Sequence, residues 1–120
     1  MGVDAVIERV EGDGGDARAK LRRLFALTSS GPRGFLNIEL AIRDWARRDK
    51  AVAKRLRRVD ERRFEYMRSL FGDFCRDEDE VEVRCLLFAS LWIGDQLFPA
   101  IRHKRTRADA TALALSQLLA

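Results

Sequence analysis

Hydrophobic positions in this chain recur at intervals of three and four residues, and clusters of turn-forming residues cut that rhythm into six helical segments. Val3, Val6, Ile7 and Val10 share one face of a short first helix, Val3 to Glu11, which Gly12-Asp13-Gly14-Gly15 breaks. Asp16 is placed to cap a second helix that runs to Ser29, with Ala17, Leu21, Leu24, Phe25 and Leu27 on its apolar side. Ser30-Gly31-Pro32-Arg33-Gly34 forms a turn. A third helix covers Phe35 to Arg48, its apolar face made by Phe35, Ile38, Ile42 and Trp45 with Ala41 and Ala46. Glu39 and Arg43 stand four apart in the favourable order, and Asp44 reaches Arg47 or Arg48.

Asp49 is the expected N-cap of the fourth and longest helix, Lys50 to Phe74. One stripe on it is Val52, Leu56, Val59, Tyr66 and Leu70, interrupted by Arg63; an adjacent stripe is Phe64, Met67 and Phe71. Two stripes predict neighbours on more than one side. Asp77-Glu78-Asp79-Glu80 opens the fifth helix with acidic groups at the positive end of the helix dipole, and Asp77 with Glu80 has the spacing of a capping box. The body of this helix, Val81 to Phe98, is apolar almost all round (Val83, Leu86, Leu87, Phe88, Leu91, Trp92, Ile93, Leu97), so it needs cover on every side. Pro99 ends or kinks it. After a basic connector from Arg102 to Arg107, Thr106 and Asp109 repeat the capping-box spacing. The last helix runs to Leu119 with Ala108, Ala112, Leu115 and Leu119 on one side and Leu118 beside them.

Composition supports an all-α protein of about six helices in a single domain, residues 1–120. Ala, Leu, Arg, Glu and Lys supply about half of the 120 residues, and prolines number two. The longest apolar stretch, Cys85 to Ile93, is interrupted by Ser90 and is too short to span a bilayer, and no secretory signal opens the chain. Cys75 and Cys85 lack CxxC spacing and a nearby histidine, so they read as buried or half-buried thiols of a cytoplasmic protein.

The same residue types exclude most chemistry. One histidine, His103, sits in the basic connector and reads as a solvated loop residue; it supplies neither a catalytic triad nor a metal-ligand set. There is no phosphate-binding glycine motif and no Glu-x-x-His pair. Asp60-Glu61 beside Arg62-Arg63 reads as paired surface charge on a long helix. No enzyme, metal or cofactor is expected. Net charge is +4, and the excess is concentrated between residues 43 and 63, where ten basic residues face four acidic ones. That stretch could attract phosphates, but no aromatics interleave with it and no glycine-hinged helix-turn-helix precedes it. A solvated helix face is the simpler account. The aromatics Phe35, Trp45, Phe64, Tyr66, Phe71, Phe88 and Trp92, with Met67, lie instead on helices three to five, where they fill a core or line a cavity.

From Phe35 to Arg63 the chain reads FLNIELAIRDWARRDKAVAKRLRRVDERR, continuing as Phe64-Glu65-Tyr66-Met67-Arg68-Ser69-Leu70-Phe71, an acidic break, and an apolar helix with Leu86-Leu87-Phe88 and Gly94. In helix order and lengths, residues 16–98 resemble the ligand-binding half of TetR-family transcriptional regulators. The resemblance implies an effector-binding and dimerisation domain. Trp45, Phe64, Met67, Phe71, Phe88 and Trp92 then become candidate cavity residues for a small apolar effector. Residues 78–98 and 106–119 become dimer helices, with Leu87, Leu91, Ile93, Leu97, Leu115 and Leu119 as candidate interface residues. Its implied partners are a second copy of itself, the effector and, through the family's N-terminal helix-turn-helix half, operator DNA. This sequence does not contain that half, so it is expected to be a fragment of a longer regulator or a stand-alone domain. The rival reading is a helical protein–protein interaction module with no small-molecule ligand.

Overall fold

Helix α4 (Lys50–Gly72) is the axis on which the other elements are arranged in the computed structural model. The structure describes residues 2–29, 34–98 and 106–120, without the side chains of 34–36 and 107. Among the described residues six helices and no strand are found: α1 (Val3–Asp13), α2 (Ala17–Ser29), α3 (Gly34–Ala46), α4, α5 (Glu78–Leu97) and α6 (Arg107–Leu118). Residues 30–33 of the expected turn, Pro99, His103 and most of the basic connector lie outside the described residues, as does the Phe35 side chain. No helix among those described is long and apolar enough to cross a membrane.

The boundaries follow local chemistry. Gly14 and Gly15 take positive φ (72° and 99°) between α1 and α2, a region that costs other residues steric energy, and a Cβ on Gly15 would stand 2.9 Å from that of Ala19. Asp16 then accepts from the Ala19 N–H at 2.8 Å and starts α2. Helix α3 stops two residues before its expected end: Arg47 and Arg48 form tighter turn bonds to the Asp44 and Trp45 carbonyls, and Asp49 caps α4 by accepting from the Ala51 and Val52 N–H groups. Asp77 caps α5 by accepting from the Glu80 N–H at 2.8 Å. The return half of that capping box is displaced by one residue, because the Glu80 carboxylate accepts from the Arg76 N–H at 2.7 Å. Phe98, the residue before Pro99, is extended, the conformation a following proline favours.

Helix α4 packs against α1, α2, α3 and α5; α2 also touches α5, and α6 lies on α5. The core sits where the second half of α4 (Tyr66, Met67, Leu70, Phe71) meets Ile7 and Val10 of α1, Leu21 and Phe25 of α2, and Cys85 and Phe88 of α5. Phe88 makes edge-to-face pairs with Phe25 and Phe71, with ring centroids 5.7 and 5.9 Å apart. The C-terminal end of α6 is tied down from outside itself. Arg18 donates to the Leu119 carbonyl, and Arg84 donates to the Leu118 and Ala120 carbonyls at 2.9 Å, so carbonyls that a helix end leaves unpaired are satisfied by cations at the negative end of the dipole. Cys85 is buried, Cys75 is half-buried, and burial raises both thiol pKa values, Cys85 to about 11. Both thiols are therefore held protonated near neutrality, the unreactive form.

Candidate ligand-binding site

A cavity of about 380 Å³ lies between the first halves of α1 and the facing parts of α2, α4 and α5. Phe64 and Met67 come from the second stripe of α4, and Phe88, Ala89, Trp92 and Ile93 from successive turns of α5. Val3, Val6, Ile7 and Leu24 close the apolar wall from α1 and α2. The polar part is Thr28, Arg43, Asp60, Arg63, Tyr66 and Ser90. A more open hollow of about 410 Å³ shares Asp60 and Phe64 with it and is lined half by apolar residues (Ala46, Ala53, Leu56) and half by charged ones (Arg57, Glu61, Arg68).

Four of the six expected cavity residues, Phe64, Met67, Phe88 and Trp92, share this wall. The other two do not. Phe71 lies on the same stripe as Phe64 and Met67 but deeper, fully buried between Phe74 and Phe88, where it fills the core. Trp45 is 53% exposed. Its displacement follows from the way α3 is rolled: Glu39, Ile42, Arg43 and Ala46 are its shielded positions, while Ile38 and Trp45 face outward.

Ion pairs set that roll. Arg43 makes a two-pronged contact with Asp60, with N–O distances of 2.8 and 2.9 Å, and donates to Glu39 at 2.8 Å. Arg63 donates to both Glu39 oxygens at 2.8 and 3.3 Å and to Asp60 at 3.1 Å. The result is a ring of two guanidinium and two carboxylate groups joining α3 to α4 at the edge of the cavity. Glu39 is 7% exposed, a burial a carboxylate tolerates only with full pairing. Asp60 keeps the expected pairing with its sequence neighbour Arg63 at 3.1 Å, but partly buried rather than fully solvated and joined by Arg43 of α3. The signals were local ones: the Glu39–Arg43 spacing and an arginine, Arg63, in the middle of an apolar stripe. Of the basic run expected on one helical face, Arg43 turns into this ring, whereas Arg47, Lys50, Lys54, Arg57 and Arg58 stay exposed.

Burial pushes the Glu39 carboxyl upward, but the hydrogen bonds and charge of Arg63, then of Arg43, overcome it and hold the group below its ordinary value of 4.5. A carboxylate with a lowered folded pKa contributes stability that is full above its unfolded value and disappears as pH falls through the folded one. Glu39→Gln is accordingly expected to cost about 2–3 kcal/mol near neutral pH, somewhat below the range for breaking a fully buried ion pair because Asp60 still holds both arginines. The gap between the two proteins, measured by urea unfolding, is expected to narrow steadily below pH 4.5. A gap that stays constant down to pH 3 would show that Glu39 acts only by its shape.

The candidate interface residues divide differently. Leu87 and Leu97 are more than half exposed, while Leu91 is partly buried and packed against the core of its own chain. Ile93 turns into the cavity. Leu115 and Leu119 are 9% and 0% exposed in the single chain, so their expected place in a dimer interface is corrected: α6 lays its apolar side on its own α5, and the Arg18 and Arg84 bonds keep it there. Val83, Leu86 and Phe98, not expected beforehand as interface residues, are the further exposed apolar groups of this region.

Comparison of the chain with protein-family models, with curated proteins and with solved structures gives no match.

Proposed function

We propose that the chain is a small-molecule-binding, self-associating helical domain, the regulatory part of a TetR-like transcriptional regulator. The cavity between α1, α2, α4 and α5 carries the proposal. Its volume of about 380 Å³ falls within the roughly 300–1,000 Å³ of sites that take up small organic ligands. Its walls are mainly aromatic and aliphatic, with a few polar groups among them, the composition that gives such sites both affinity and orientation.

The outer side of α5 supports self-association. Val83, Leu87, Gly94 and Leu97 keep the register of a helix–helix seam, with Ser90 between them at the border with the cavity, and Val83, Leu87 and Leu97 are more than half exposed. Exposed apolar side chains aligned along one helix of a charged protein support an interaction surface. Gly94 is in the same line. A Cβ there would meet only the Phe98 ring at 3.8 Å, an ordinary contact, so nothing among the described residues requires glycine in mid-helix. Close approach of a second helix would. The occupant we assign is α5 of a second copy, because one surface then covers both exposed faces.

Ligand and seam are then coupled through one element, since α5 presents its inner side to the cavity and its outer side to the twin. A ligand that fits one placement of α5 better than another shifts the balance of dimer arrangements by its difference in affinity for the two. In a regulator of the resembled family that balance sets the spacing of the DNA-reading heads.

The reading is tested by thermal unfolding in the presence of naphthalene- and biphenyl-sized compounds. A ligand at 100 times its Kd is expected to add about 2.7 kcal/mol to the unfolding free energy by mass action. Ala89→Phe, which places a ring in the cavity, is expected to fold and to lose that response. A wild-type protein that responds to no compound of this size would leave the interaction-module reading in its place.

A further inference from the structure

The first half of α4 carries a surface that neither the cavity nor the seam uses. From Arg47 to Arg58 seven basic residues stand against one acidic residue, Asp49, whose carboxylate is occupied in capping α4. Arg47, Lys50, Lys54, Arg55, Arg57 and Arg58 are all exposed, and among the described residues none of their side chains has a carboxylate partner. Elsewhere most surface cations are paired, as Arg23 is with Asp13, Arg62 with Asp4 and Arg68 with Glu82. We propose that this face of α4 binds the phosphate backbone of duplex DNA without regard to its sequence. None of these residues lines the cavity, so the proposal is independent of a ligand there.

The line of Val52, Leu56, Asp60 and Arg63 is turned to α3, as the bonds from Arg43 to Asp60 and from Arg63 to Glu39 show, and the cations are left on the other side of the helix. There Lys50 and Lys54, and Lys54 and Arg58, stand four residues apart, while Lys54 and Arg57, and Arg55 and Arg58, stand three apart. Like charges at these spacings repel and cost helix stability. A polyanion removes that cost and releases the counterions condensed along its own backbone. At 1.5 Å per residue the stretch from Lys50 to Arg58 is about 12 Å long, enough for its side chains to reach several successive phosphates of a duplex.

Other anionic occupants lack what they need here. Among the described residues of this stretch Ala51 is the one exposed apolar side chain. A membrane-surface helix buries large apolar groups beside its cations, and a stable protein interface has an apolar core. Single strands are held by stacking on aromatics, and residues 47–58 contain none; the exposed Trp45 belongs to α3, from which these cations turn away. Phosphate contacts alone position a duplex without reading its bases.

Fluorescence anisotropy of a labelled 20-base-pair DNA duplex tests this with the whole chain. Wild type is expected to bind two duplexes of unrelated sequence equally, with a Kd of roughly 10 µM at 50 mM salt. Contact with about four phosphates gives a slope of about −3.6 when the logarithm of the association constant is plotted against that of the salt concentration. Lys54→Gln with Arg58→Gln removes two of those contacts, so affinity at 50 mM salt is expected to fall at least about tenfold and the slope to flatten to about −1.8. Arg9→Gln with Arg22→Gln is the control. It takes the same charge from exposed arginines of α1 and α2 that are also without a partner among the described residues, and binding is expected to stay within about twofold of wild type. Equal losses in the two double variants, a slope near zero, or binding to phosphatidylserine vesicles without binding to the duplex overturns the proposal. Where a variant does not fold, the salt slope of the wild type decides alone.

Discussion

Phe71→Ala is expected to lower the unfolding free energy by about 3–5 kcal/mol, the range for removing a fully buried ring. Phe71 has no exposure at all and holds Phe74 and Phe88 in ring contact, with centroids 5.7 and 5.9 Å from its own. Through Phe88 it also supports Phe25 of α2, so the space left behind lies at the meeting of three helices and cannot be closed by the movement of any one of them. For a domain of this size the midpoint of thermal unfolding should fall by roughly 10–20 °C, at about 4 °C for each kcal/mol. Trp45→Ala serves as the contrast. It removes a larger side chain, but one that is 53% exposed on α3, and its cost is expected to stay below about 1 kcal/mol. Differential scanning calorimetry of the two variants measures both. Equal losses would mean that Trp45 is buried in solution and that α3 is rolled the other way, with the expected Ile38–Trp45 face inward.

That contrast also marks where the sequence could be read and where it could not. Asp16, Asp49, Asp77 and Thr106 each act on backbone groups within three residues of themselves, so the helix starts were visible in short stretches of sequence. The placement of Phe64, Met67, Phe88 and Trp92 on a common wall needed only the periodicity of two helices that pack together. The roll of α3 was not visible in the same way. Hydrophobic periodicity puts Ile38 and Trp45 inside, but Arg43 and Glu39 find partners 17 and 24 residues further along, and an ion ring of this kind outweighs the burial of one indole. The use of α6 was ambiguous for a different reason. An apolar stripe of Leu115 and Leu119 is the same stripe whether its own α5 or a twin covers it, and only the bonds from Arg18 and Arg84 to the chain end choose between the two. Once α6 is committed to its own chain, the seam available to a partner is narrower than the sequence implied. The proposed seam then lies on α5 alone.

The double variant Leu87→Glu, Leu97→Glu is expected to abolish self-association while leaving ligand binding intact. Both leucines are more than half exposed in the single chain, ten residues apart on the outer line of α5, and neither lines the cavity. Their replacement therefore removes little from the stability of one subunit. In a symmetric pair, however, each substitution enters twice, so four carboxylates face a seam that has lost its four leucines. Desolvation and like-charge repulsion together should weaken the dimer by more than about 100-fold, nearly 3 kcal/mol. Sedimentation equilibrium measures this directly, because at roughly 10 µM a dimer of micromolar Kd is about four-fifths assembled and one weakened a hundredfold is mostly monomer. Leu86 is not a suitable site for the same test, since it is exposed but also borders the cavity, and a charge there would disturb both functions. Three outcomes are separable. A dimeric wild type and a monomeric variant that still responds to ligand fit α5 as the seam and the cavity as an independent site within each subunit. A dimeric variant moves the seam elsewhere, the exposed Ile38, Leu40 and Trp45 of α3 being the next apolar surface. A wild type that sediments as a monomer at that concentration removes the twin, and with it the link between ligand and subunit arrangement.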